Sequence, residues 1–155
     1  MKIGVISDTH GLLRPEAIEA LAGVDHILHG GDIGKPEIIA KLGEIAPVTA
    51  IRGNVDKADW CLAYPETEVV EFEGTFCYMI HDVHDLDLDP VAAGFQVVIS
   101  GHSHNPSVQW KSDVLYLNPG SAGRRRFSLP ITLAYLWIES EGIRTEIAEL
   151  IPPPA

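Results

Sequence analysis

The strongest constraint on this chain is a pattern that occurs five times: a short apolar run that stops abruptly at a chemically active residue. In the first instance, Ile3-Gly4-Val5-Ile6 leads through Ser7 to Asp8 and His10, a carboxylate and an imidazole two residues apart. A run this short, β-branched and continuous reads as a strand buried on both faces. Asp and His have no use inside such a core. Just past its carboxyl end they face the crevice where α/β sheets bind ligands. Ile27-Leu28 then leads through His29, Gly30 and Gly31 to Asp32. Val48 to Ile51 ends in Gly53-Asn54, Tyr78 to Ile80 ends in His81, and Val97 to Ile99 ends in Gly101-His102-Ser103-His104. The five runs together send Asp8, His10, Asp32, Asn54, His81, His102 and His104 toward one rim.

The first three runs are separated by helical patterns. Pro15 suits a first helical position and Gly23 a stop, with Ala17, Ile18, Leu21 and Ala22 as the apolar face. Pro36 opens a second helix whose face is Ile38, Ile39 and Leu42. This β-α-β-α-β opening predicts a parallel sheet with right-handed crossovers. The chain then turns β-rich. Val69 to Ile80 reads as a hairpin turning at Glu73-Gly74, Ser107 to Leu117 as a second, and Thr132 to Ile147 as a third turning at Glu141-Gly142. Asp89-Pro90 marks a short helix of about two turns, with Asp as cap and Pro first. Val55 to Pro65 reads as a loop. The reading is one domain over residues 1–151, with a short Pro-rich tail at 152–155.

The ordered set Asp8-x-His10, Gly31-Asp32, Gly53-Asn54, His81 and Gly101-His102-x-His104 resembles the calcineurin-like metallophosphoesterase superfamily. The small size and Asn118-Pro119-Gly120-Ser121 resemble its compact YfcE-type phosphodiesterase branch. The resemblance implies an α/β fold, a four-layer αββα sandwich of two mixed sheets flanked by helices. It implies two divalent metal ions, one held by Asp8, His10, Asp32 and His104, the other by Asp32, Asn54, His81 and His102, with Asp32 as bridge. Manganese comes first by this resemblance, with iron, zinc, nickel or cobalt as alternatives; the mixed N/O donors suit any of them and no thiolate is among them. A metal-bound hydroxide would attack a small phosphodiester or nucleotide-like substrate, so no nucleophilic side chain is needed. Asp32, Asn54 and His104 would carry the chemistry.

Departures from the family pattern bear on the reaction. Many members place a His after the Gly-Asn asparagine, where it can protonate a leaving group; here Val55 stands there. That weighs against a phosphomonoesterase or nucleotidase with poor leaving groups, and leaves His84 as the nearby candidate acid. Asp82 replaces a common Gly and reads as a solvent-facing turn residue. The complete ligand set also argues against a non-catalytic scaffold like the retromer subunit of this fold. Of the remaining histidines, His26 reads as a surface residue and His29 as a hydrogen-bonded structural one. Asn118 to Ser121 is expected to close a hairpin facing the site. Arg124-Arg125-Arg126, the only basic cluster, reads either as a phosphate contact or as a solvated run.

Charge and composition exclude other classes. A formal charge of −11 argues against binding a nucleic-acid backbone. No apolar run approaches a membrane span. Met1-Lys2 leads directly into the first strand, and Cys61 and Cys77 show no pairing motif, so the expectation is a cytoplasmic monomer or small homo-oligomer with reduced thiols.

Overall fold

Strand residues point alternately to opposite faces, so a strand apolar at every position must be covered on both sides. The structure, a computed structural model that describes residues 1–154, solves this with two stacked sheets. In chain order the strands are β1 (Lys2–Ile6), β2 (His26–His29), β3 (Val48–Ala50), β4 (Thr67–Phe72), β5 (Thr75–Ile80), β6 (Val97–Ile99), β7 (Ser107–Lys111), β8 (Val114–Asn118), β9 (Ile131–Glu139) and β10 (Gly142–Ile151). The first sheet has the order β10-β9-β1-β2-β3 and the second β4-β5-β6-β8-β7. Within them β1, β2 and β3 run parallel, as do β5, β6 and β8.

The core lies between the sheets. Ile3, Val5, Leu28, Ala134 and Leu136 meet Cys77, Met79, Val97, Ile99, Leu115 and Leu117 there. The alternate residues Ile6, Ile27 and Leu133 turn outward against Ala17 and Leu21 of α1 (Pro15–Ala20) and its following turn, and Ile38 and Leu42 of α2 (Pro36–Gly43). Both prolines take the first turn as expected. The apolar face of α1 is narrower than expected: Ile18 is 39% exposed and Ala22 is also exposed. A helix of six residues can press only one turn against the sheet.

The outer layer on the second sheet is thinner still. α3 (Pro90–Ala93) is four residues, about half the expected length. Asp89 caps it by accepting from the Val91 N–H at 3.1 Å, and Gly94 ends it at φ 85°. Tyr78, Ile80, Val98 and Val114 are therefore covered largely by loop residues Leu86, Leu88 and Phe95, the last stacked on Tyr78 with ring centroids 5.1 Å apart. The αββα layering holds, with its fourth layer reduced to one helical turn and a loop. A short 3₁₀ turn, Asp59–Ala63, lies within the expected loop at 55–65. Residues 152–154 of the expected tail have no regular structure, though the Pro152 carbonyl accepts from Arg125; residue 155 lies outside the described residues. Among the described residues no helix is long and apolar enough to cross a membrane.

Candidate metal centre

Because β1, β2 and β3 are parallel and β5, β6 and β8 are parallel, their carboxyl ends can gather at one edge of the sandwich. The loops that follow are zipped together. Asp8 donates its N–H to the Gly31 carbonyl at 3.0 Å, His10 to Asp32 at 2.9 Å and Gly11 to Ile33 at 2.8 Å. Gly101 donates to the His81 carbonyl at 2.9 Å, joining the loops of the second sheet.

The side chains then converge. His10 Nε2 and His104 Nε2 are 3.3 Å apart. Asp8 Oδ1 lies 3.4 Å from His104 Nε2, and Asp32 Oδ2 lies 3.6 Å from His10 Nε2 and 3.2 Å from His81 Nε2. His102 Nδ1 is 3.1 Å from Asn54 Oδ1. Two groups of mutually close donors result, Asp8-His10-His104 and Asp32-His81-His102, either of which could hold a metal ion.

Each carboxylate is held by one oxygen and free at the other. Asp8 Oδ2 accepts from Ser7 Oγ at 2.7 Å and from the His102 N–H at 3.1 Å. Asp8 Oδ1 is buried without a hydrogen-bond partner, as are His81 Nε2 and His104 Nδ1. Asp32 Oδ1 accepts from the Val55 N–H at 3.1 Å, which leaves Oδ2 facing both donor groups. Oδ2 would be the Asp32 atom available to metal ions held by either group. His81 is oriented in the same manner: its Nδ1–H donates to the Gly30 carbonyl at 2.7 Å, so Nε2 is the ring nitrogen that faces inward. Buried polar atoms without partners are costly. Asp8 Oδ1 and His81 Nε2, which face the other donors of this rim, fit a cation.

The charges follow the same geometry. Burial opposes a charge on His81, but the neighbouring Asp32 and Asp8 carboxylates and the Gly30 carbonyl push its pKa up to about 9. Burial would raise the Asp32 carboxyl, but His81, the Val55 N–H and His10 hold it below the usual carboxylate range. His29 behaves oppositely. It is fully buried, and desolvation pushes its pKa down to about 4. Its Nδ1 accepts from the Gly31 N–H at 3.1 Å, so Nε2 carries the proton and donates to Thr9 Oγ1 at 3.0 Å. It is a neutral structural brace, as expected.

Asp56, which sequence reasoning missed, and Asn118 and Ser121, which it placed near the site, hold these loops in place. Asp56, 4% exposed, accepts from the N–H groups of Ile33, Gly34 and Gly53 at 3.0, 3.2 and 2.8 Å, tying the loop after β2 to the loop after β3. Asn118 Nδ2 donates to the Gly101 carbonyl at 2.9 Å and to Ser103 Oγ at 3.1 Å, bracing the Gly-His-Ser-His turn. Ser121 Oγ donates to the Asp8 carbonyl at 3.1 Å. Asn118 ends β8, paired with Ser107 at the base of the β7–β8 hairpin as expected, and Asn118 and Ser121 brace the rim loops.

The profile of the "Calcineurin-like phosphoesterase superfamily domain" matches residues 1–141. The chain belongs to that superfamily. A "Probable metallophosphoesterase" of Methanothermobacter thermautotrophicus is 36% identical over 159 aligned positions, covering 95% of this chain and 91% of its own. A solved structure titled as a novel archaeal phosphodiesterase is 26% identical, with a TM-score of 0.79 over 96% of this chain and 100% of its own. Two more distant structures share the fold. The phosphoesterase YfcE of E. coli aligns with a TM-score of 0.68 and 21% identity over 92% and 91% of the two chains. Vps29 of Entamoeba histolytica, solved with zinc, aligns with a TM-score of 0.76 and 19% identity over 97% and 99%. This phosphoesterase is thus a hydrolase of a family that implies divalent metal ions, and its donor groups fit them.

The other rim residues of this phosphoesterase are less uniform. Asp82 is a turn residue but is not simply solvent-facing: its side chain is 26% exposed, and Oδ1 accepts from the His84 N–H and faces His84 Nδ1, both at 3.0 Å. Its Oδ2 lies 3.7 Å from His102 Nε2. His84 itself is 87% exposed. Burial would raise the Asp82 carboxyl, but hydrogen bonds from His84 and the nearby His102 together hold it low. His26 is half-buried, not on the surface, with Nε2 2.8 Å from Thr49 Oγ1 and its ring edge-on to Phe72. Cys61 and Cys77 are free and buried.

Proposed function

We propose that this chain is a two-metal phosphodiesterase acting on small phosphodiesters with good leaving groups. The observation that carries the reading is the pair of donor groups that meet at Asp32, with Asp8 Oδ1 and His81 Nε2 buried, facing the other donors and without a hydrogen-bond partner. In this reading Asp8, His10, Asp32 and His104 hold one ion, and Asp32, Asn54, His81 and His102 the other. Bound there, divalent ions supply a nucleophilic water near neutral pH and neutralise charge on the phosphoryl group.

The chain's own residues do the rest. Ser7 and the His102 N–H keep Asp8 Oδ2 occupied, so that Oδ1 alone points inward. The Gly30 carbonyl fixes the His81 tautomer. Val55 offers no proton at the rim position where a family acid can stand. His84, restrained by Asp82, is the imidazole on this rim outside the ligand set, and it is the candidate proton donor. The likeness to a named archaeal phosphodiesterase supports the diester substrate. The likeness to Vps29 leaves a scaffold as the second reading, and the complete donor set favours the enzyme.

The test is a panel of aryl phosphodiesters and alkyl phosphomonoesters, assayed with and without added divalent metal. The expected result is metal-dependent hydrolysis of the aryl diesters, with alkyl monoesters slower by about 10²–10⁴-fold, the usual share of general acid catalysis. If His84 is the donor, His84→Ala steepens the dependence on leaving-group pKa. Metal binding without turnover of any phosphoester would favour the scaffold.

A further inference from the structure

The proposed ligands open onto cavities of opposite charge. One, of about 510 Å³, brings Asn54, His81 and His102 together with Glu66, Asp82, Asp85 and Asp87. Its one arginine, Arg52, is already paired with Glu66 at 3.4 Å and with the Tyr64 carbonyl. The other, of about 470 Å³, joins His10, Asp32, Asn54, His102 and His104 to Val55 and all three arginines of the run 124–126. Asp32 is its only carboxylate.

The three arginines are not equivalent. Arg125 is structural: Nη1 donates to the Leu129 carbonyl at 2.8 Å and Nη2 to the Pro152 carbonyl at 2.9 Å. Arg124 and Arg126 are exposed, and neither makes a side-chain hydrogen bond or ion pair among the described residues. The Arg126 guanidinium lies 5.5 Å from the Phe127 ring centroid, which still leaves its donors free. The backbone beneath them is fixed. The Gly123 carbonyl accepts from Arg14 Nε at 2.9 Å, and a Cβ on Gly123 would lie 2.7 Å from the Asp8 carbonyl oxygen. The run therefore starts on chain pressed against the first metal-ligand loop. A solvated charge run needs no such anchor and no shared cavity with imidazoles.

We infer that Arg124 and Arg126 bind a second anionic group on the substrate, of phosphate class, while the centre works on the diester. Guanidinium presents a planar fork of donors that matches phosphate oxygens, and it stays charged at every working pH. The carboxylate-lined cavity repels such a group, so the Arg-lined cavity is the one that accepts it. The preferred substrates are then phosphodiesters that carry a further phosphate. This inference rests on the diesterase reading, and its test separates the two.

The probes are thymidine bearing a nitrophenyl phosphodiester on one sugar hydroxyl, with and without a phosphate on the other. Metal-loaded wild type is expected to favour the phosphorylated member in kcat/KM by about tenfold or more, as charged hydrogen bonds supply. The preference should vanish in Arg124→Ala combined with Arg126→Ala. It should survive in Arg144→Ala, which removes a positive charge on the β9–β10 hairpin. In parallel, calorimetry compares binding of thymidine bisphosphate and monophosphate. If neither ester is hydrolysed, the diesterase reading fails, and the calorimetry alone decides the role of the arginines. Equal kinetics and equal binding for both members of a pair in wild type would overturn the inference. A preference that persisted in the double variant would also overturn it.

Discussion

At the hairpin tips Glu73, Gly74, Ser112 and Asp113 have positive φ, and at the opposite kind of strand end so do Asp8, His10, Asp32, His102 and His104. The conformation is the same and its setting is not. Nothing lies within 4 Å of a Cβ built on Gly74 or Gly142, so the tips are open, and turn chemistry alone selects their residues. At the rim, five proposed ligands that are not glycine occupy the left-handed region, with φ between 46° and 71°. Each such residue costs of order 1 kcal/mol or more. It persists there because neighbouring loops over-determine it: Gly34 faces the His10 backbone, Gly31 faces His81, and Gly53 faces Asp32. A tip turns the chain, whereas the rim uses the same turn to aim carboxylates and imidazoles inward.

That comparison is most easily broken by a pair of glycine substitutions. Gly34→Ala would put a Cβ 2.5 Å from the His10 carbonyl carbon, a backbone contact that cannot move aside. It is expected to destabilise the fold by about 3 kcal/mol or more and to weaken metal binding. Gly74→Ala meets nothing and should cost only about 1 kcal/mol, the conformational term alone. Equal losses in urea unfolding would mean that the rim is no more constrained than a tip.

Asp56→Ala tests the ties directly. It leaves three backbone N–H groups of the rim loops without their acceptor, and stability is expected to fall by about 2–3 kcal/mol. Metal affinity should drop by about 10–100-fold, the usual effect of losing support around a ligand. An unchanged affinity would show that the loops keep their shape without Asp56.

The smallest expected effect separates the two ends of β2, which begins at His26 and ends at His29. The folded pKa of His29, about 4, lies below the ordinary imidazole value of 6.5, so folding favours the neutral ring. Its contribution is complete above pH 6.5 and is lost as pH falls toward about 4. His81, raised to about 9, acts in a separate window with the opposite sign: its contribution is present below 6.5 and is lost as pH rises through 9. In metal-free protein, His29→Asn should therefore flatten the stability profile between pH 4 and 6.5 and leave the alkaline side unchanged. An identical acid limb in wild type and variant would remove His29 from the account.

Much of this was legible in the sequence because two signals coincide. Apolar strands must stop where they meet a polar residue, so Asp8, Asp32, Asn54, His81 and His102 mark strand ends and candidate ligands at once. The parallel opening followed from the helical patterns between the first strands, and the hairpins from alternation and from turn pairs such as Glu73-Gly74. How the supports act was not legible. Asp56 bonds to N–H groups as far as 23 residues away, and in sequence it is one more Asp in a polar loop. Asn118 and Ser121 act through contacts fixed only once β8 lies beside β6. His26 looked free because its cover, Phe72, comes from the facing sheet. Asp82 looked like an ordinary turn residue because its tie to His84 spans a single 3₁₀ turn.

The central claim is that one rim holds two ions joined through Asp32. Elemental analysis after reconstitution, with calorimetric titration of the same samples, tests it most directly. Wild type is expected to bind two divalent ions per chain; Asp32→Asn should weaken both sites, and Asn54→Ala only one. At most one ion bound at saturation, or the loss of a single site in Asp32→Asn, would contradict it.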